Sequence, residues 1–105
     1  MQNQITPEMF KEVMGILGHD AKQASKCIGL TSRTLSDYVT GRKPIPYVNF
    51  KIYCHNNFLE PKYIANIVEG RWSLFQAQKT FIVKLQNKLH TKLKELDERI
   101  EKNEV

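Results

Sequence analysis

The residues of this chain best suited to chemistry are polar and cationic, and they gather between Asp20 and Pro46, in DAKQASKCIGLTSRTLSDYVTGRKPIP. Ser32, Arg33, Ser36 and Asp37 recur at the three-and-four spacing that places side chains on one helix face, and Arg42 and Lys43 follow just behind Gly41. A guanidinium such as that of Arg33 presents a planar fork that pairs with the O6 and N7 acceptors of guanine. Hydroxyls can bond either a base edge or a phosphate, and cationic heads neutralise phosphates. Asp37 can accept from a cytosine amine or orient Arg33, which lies one turn back. The bland alternative for Arg42 and Lys43 is an ordinary solvated loop.

Two short helices must carry these residues. Asp20 has the short oxygen-bearing side chain that caps a helix start, and Ala21–Ile28 follows it as a helix. Gly29 ends that helix between the apolar pair Ile28 and Leu30, because glycine enters the left-handed turn conformation at little cost. Thr31 is a second cap, opening a helix over Ser32–Thr40 that turns Leu35, Tyr38 and Val39 inward and Ser32, Arg33, Ser36 and Asp37 outward. Gly41 ends it, and Pro44 and Pro46 prevent any direct continuation.

Ala24, Ile28, Gly29, Leu30, Thr31, Leu35, Tyr38 and Gly41 together make this stretch similar to the phage-repressor or Cro-like helix-turn-helix proteins, and the tail GRKPIP resembles the GRRPIP-type ending of many phage and plasmid members. The resemblance covers about residues 6–70. It implies an all-α, five-helix domain of the lambda-repressor-like type that binds double-stranded DNA, with the helix over 32–40 in the major groove. On that footing Ser32, Arg33 and Asp37 match base-reading positions, and Ser36 can join them. Thr31, Thr34, Thr40, Arg42 and Lys43 are candidates for phosphate contacts through hydroxyls, cationic heads and free amides at the helix start. Two positions depart from the family pattern: Ser25 holds the small-residue place four before the glycine, and Ala21 stands where glutamine is common. The resemblance implies a backbone-phosphate contact at position 21 that a methyl group cannot make.

The rest of the chain supplies the supporting elements. Thr6-Pro7-Glu8 is a helix-start signature, and the spacing predicts a helix over Pro7–Leu17 burying Met9, Phe10, Val13, Ile16 and Leu17. A helix opened by Pro46 is expected to pack Val48, Phe50, Ile52 and Tyr53 and to end at Asn56-Asn57. Pro61 then opens another, with Tyr63, Ile64, Ile67 and Val68 inward and Gly70 as its stop. Residues 1–70 thus read as the DNA-binding domain and 71–105 as an appendage.

That appendage contains no glycine or proline. Its apolar residues Ile82, Leu85, Leu89, Leu93, Leu96 and Ile100 recur in steps of 3, 4, 4, 3 and 4. The average matches a straight helix, and the 11-residue interval from Ile82 to Leu93 argues against a left-handed heptad coiled coil. One long amphipathic helix is expected, its other faces mixed in charge. A wet leucine stripe must fold back or meet the same stripe of a second copy, and dimerisation through these six residues is the favoured reading. Trp72, Leu74, Phe75 and Phe81 should pack where this helix leaves the domain.

With 105 residues, 41% of them hydrophobic, and a net charge of +5, one modest core and a polyanionic partner are expected. No apolar run approaches the roughly 18 residues of a membrane span, and MQNQITPEMF lacks a signal-like apolar region, so a cytoplasmic protein is expected. Cys27 and Cys54 read as reduced and structural, and Cys54-His55 has no partner ligands at metal-site spacing. His19, His55 and His90 stand apart from any suitable acid or nucleophile, so neither catalytic residues nor cofactors are expected. The leading function is a homodimeric, sequence-specific transcriptional regulator, a repressor of phage, plasmid or mobile-element type. The alternative is an adaptor or inhibitor of the same fold that captures a host protein through its C-terminal helix.

Overall fold

A computed structural model describes residues 5–103 as six α-helices, with one isolated antiparallel bridge between Ile5 and Ile45 and no strand among the described residues. The helices are α1 (Pro7–Leu17), α2 (Ala21–Ile28), α3 (Ser32–Thr40), α4 (Tyr47–Asn56), α5 (Ile64–Val68) and α6 (Leu74–Asn103), and a single 3-10 turn, Pro61–Tyr63, leads into α5. The protein is all-α. No described helix is long and apolar enough to cross a membrane.

The caps explain the boundaries. Thr6, Asp20 and Thr31 each accept a backbone N–H of the first turn they precede, from Met9, Gln23 and Thr34. At α2 the bond is reciprocal, because the Gln23 side chain accepts from the Asp20 amide at 2.8 Å, closing a capping box. Gly29 and Gly41 both adopt the left-handed conformation, with φ of 80° and 79°, so a side chain at either would strain the turn that follows.

Phe10, Val13, Ala24, Leu35, Tyr38, Phe50, Tyr53, Cys54 and Leu59 form the buried centre. The Phe10 ring stacks on Tyr53 at 5.1 Å between centroids and tilts against Phe50 and Tyr38, so α1, α3 and α4 meet on one aromatic cluster. Tyr53 is anchored further by its hydroxyl, 2.8 Å from His19 Nδ1.

Several expectations about packing are corrected. Val48 and Ile52 are exposed, because the buried face of α4 follows the Phe50, Tyr53, Cys54 spacing and turns those two outward. Met9 is exposed as well, and Met14 packs against the core in its place. Helix α4 begins at Tyr47, one residue after Pro46, and the element opened by Pro61 starts as a 3-10 turn before α5, which ends at Val68 with that side chain exposed.

The long helix is also not wholly an appendage. Ser73 caps it, Ala77 is fully buried, and Phe81 packs against His55 at 5.4 Å and Phe58 at 6.3 Å. Phe58 is a non-glycine residue in the left-handed region, with φ of 60°, and its edge contact with Phe81 accompanies that strain. Trp72 and Leu74 pack as expected, but Phe75 is 77% exposed because it points away from the body. The first turns of α6 therefore complete the core. The remainder projects from it, giving a molecule of 59 × 31 × 30 Å.

Candidate nucleic-acid interface

Helix α3 lies against α1 and α2 through Leu35 and Tyr38, while Ala24 and the back-bonded Ser25 allow α2 a close approach. The Ser25 hydroxyl donates to the Lys22 carbonyl at 2.8 Å, which satisfies it inside the core. Asn49 of α4 donates to the Tyr38 hydroxyl at 2.9 Å and ties the inner face of α3 to the next helix. What remains is an outward face of Ser32, Arg33, Ser36 and Thr40, along which Arg33, Ser36 and Thr40 fall on successive turns. Ser32, Arg33 and Thr40 are exposed and Ser36 is half-buried.

The capping network uses part of the expected phosphate set. Thr31 Oγ1 accepts from the Thr34 amide at 3.2 Å and lies 3.0 Å from the Thr34 hydroxyl. The Thr40 hydroxyl donates to the Ser36 carbonyl at 2.7 Å, leaving its oxygen able to accept but not to donate elsewhere. The amides of Ser32 and Arg33 precede the capped one in the first turn and point out of the helix end, toward which the dipole draws anions.

Asp37 does not stand on the outward face, and this corrects the sequence expectation. Its side chain is only 10% exposed, and the carboxylate lies 3.5 Å from Lys43 Nζ and 3.8 Å from an Arg42 guanidinium nitrogen. Its carbonyl also accepts from the amides of Arg42 at 2.9 Å and Lys43 at 3.2 Å. The left-handed turn at Gly41 folds the chain back over the end of α3, so the carboxylate meets the loop's cations rather than Arg33. Asp37 positions the basic loop, and the bridge from Ile45 to Ile5 fixes its far end. The two cationic side chains remain mostly in solvent, 71% exposed for Arg42 and 63% for Lys43.

The structure thus brings Ser32, Arg33, Ser36, Thr40, Arg42 and Lys43 onto or beside one helix, with Thr31 and Thr34 at its start. The six apolar residues of α6 are all exposed. Among the described residues no group of histidine, cysteine and carboxylate side chains could hold a metal. Cys54 is buried, and burial followed by the Glu60 charge pushes its thiol up to about 12. His55 faces Glu60 at 3.0 Å. Asn49 was missed in the sequence; its contact is tertiary and leaves no local signal. The reciprocal half of the α2 cap was missed too, although its signal is local: Gln23 stands three residues after Asp20.

No family model, no curated protein and no solved structure matches this chain.

Proposed function

We propose that this protein binds double-stranded DNA at a preferred sequence, as a homodimer that regulates transcription, in the manner of phage or plasmid repressors. The observation that carries the reading is the single polar face of α3, Ser32, Arg33, Ser36 and Thr40, flanked by a cationic loop that Asp37 holds in place. A helix carried on a rigid aromatic core, short-chained and polar outward, fits the major groove, and a basic loop at its C-terminal end meets the adjacent phosphate backbone. In this reading α2 and α3 form a helix-turn-helix, Arg33 reads guanine, and Ser32 and Ser36 take flanking base or phosphate contacts. Thr31, Thr34 and Thr40 approach phosphates as acceptors or through the helix-end amides, with Arg42 and Lys43 neutralising charge. Asp37 is a positioning residue.

The test separates the loop from the helix. Replacing Arg42 and Lys43 together by alanine should weaken binding to every duplex about equally and reduce the slope of log affinity against log salt by about two, whereas Arg33→Ala should mainly relax sequence preference. Unchanged salt dependence in the double variant would exclude the loop from the interface.

A second reading draws on the exposed stripe of α6: an adaptor that uses the stripe to hold a different protein. It predicts DNA binding that is weak, strongly salt-sensitive and indifferent to sequence.

A further inference from the structure

A cavity of about 210 Å³ lies where α6 leaves the body. The body supplies one wall through His55, Glu60 and Tyr63. One face of α6 supplies the other through Phe81, Lys84, Leu85 and Lys88, which follow one another at the three-and-four spacing. We propose that this cavity binds a small organic monocarboxylate, its apolar part held among Tyr63, Phe81 and Leu85 and its carboxylate held by Lys84 and Lys88. The site shares no residue with the α3 face and stands independently of DNA binding.

The charges select an anion. Neither Lys84 nor Lys88 has an acidic residue three or four positions away on its own helix, and among the described residues neither forms an ion pair. Their spacing of four sets like charges on successive turns, which disfavours the helix locally and which an anion between them would reverse. The acidic side chain on the facing wall is already engaged, because Glu60 Oε1 lies 3.0 Å from His55 Nε2. Lys84 Nζ lies 5.5 Å from the centre of the Tyr63 ring, so its charge is turned toward the body. The cavity therefore presents two cations that the protein itself leaves without a counterion.

The walls select what carries the anion. Tyr63 is 4% exposed and meets the Trp72 ring edge-on at 5.1 Å, and Phe81 is held by His55 and Phe58, so both rings are fixed before a ligand arrives. Apolar rings beside two cations suit a ligand with both characters, whereas inorganic phosphate would leave the rings uncovered and bring a second negative charge toward Glu60. The volume lies below the range of about 300–1,000 Å³ that holds drug-sized ligands, so a molecule the size of benzoate fits and a nucleotide does not. Because one wall belongs to the body and the other to α6, the bound carboxylate ties the base of the projecting helix to the core.

The experiment titrates the full chain with sodium benzoate at constant ionic strength and follows amide and indole shifts by NMR. Saturable shifts are expected at His55, Phe81 and Leu85, and at the Trp72 indole through its contact with Tyr63. Lys84→Gln and Lys88→Gln, both at exposed positions, should each weaken binding about tenfold, as the loss of one charge-assisted hydrogen bond does. Lys79→Gln removes the same charge outside the cavity and should change binding less than about twofold. Equal losses in all three variants would reduce the binding to general attraction by a basic helix and overturn the site. Saturation by inorganic phosphate but not by benzoate would overturn the ligand class. No saturable shift with benzoate up to about 50 mM, well above the millimolar range expected of so small a ligand, would overturn the proposal outright.

Discussion

Truncating the stripe at its centre should separate assembly from folding. Leu89 is 59% exposed in the isolated chain and touches none of the buried core. Full burial of a leucine is worth about 1.5–3 kcal/mol, so covering the exposed part contributes about 1–2 kcal/mol per side chain. Alanine retains a fraction of that. Because the substitution occurs in both copies, Leu89→Ala should weaken self-association by about 1.5–3 kcal/mol, or about 10- to 100-fold in the dimer dissociation constant. Sedimentation equilibrium over a concentration series measures it. A thermal melt of the dilute protein gives the control: the monomer's own transition should move little, since alanine suits an exposed helix position at least as well as leucine. A dissociation constant within threefold of the wild type would refute the assignment of the stripe as the interface.

Other consequences can be checked directly. Replacing Asp37 by alanine removes two ion pairs with largely exposed cations, each worth at most about 1 kcal/mol, so a loss of up to about 2 kcal/mol in urea unfolding is expected, accompanied by weaker binding to every duplex alike; an unaltered midpoint would contradict the anchoring role. The Tyr63 hydroxyl is buried with no hydrogen-bond partner in the described structure, so Tyr63→Phe should leave stability unchanged or raise it, and a loss above about 1 kcal/mol would show that the hydroxyl is satisfied after all. The Cys54 thiol ionises near 9.0 when unfolded but is pushed up to about 12 in the fold, so its contribution is complete below pH 9.0 and is lost as pH rises toward 12. The urea midpoint of the reduced protein should fall across that window, and alkylation at pH 8 should label half-buried Cys27 well before Cys54; equal labelling would contradict the burial.

Local chemistry was legible and tertiary choice was not. Thr6, Asp20 and Thr31 announce α1, α2 and α3 because a cap acts within three residues, and Gly29 and Gly41 end two of them for reasons carried by one residue each. The outward positions of Ser32, Arg33 and Ser36 follow from helical period once those bounds are known. Asp37 illustrates the limit. Its spacing from Arg33 is helical and visible, but its partners come from the loop beyond Gly41, which only the folded-back chain brings within reach. Val48 and Ile52 fail differently: α4 carries apolar residues around much of its circumference, so composition does not pick the buried side, and the aromatic cluster around Phe10 selects Phe50 and Tyr53. The role of Ala77 left no mark in the sequence, since a small residue is equally at home on an exposed helix and under a packed one.

Whether α3 reads DNA is decided by selecting bound sequences from a random duplex pool, with Arg33→Ala run beside the wild type. A reading helix on each copy of a homodimer yields an inverted repeat whose half-sites lie about one helical turn apart, with the guanine preference relaxed in the variant. Enrichment of no motif by a folded wild-type protein would contradict it.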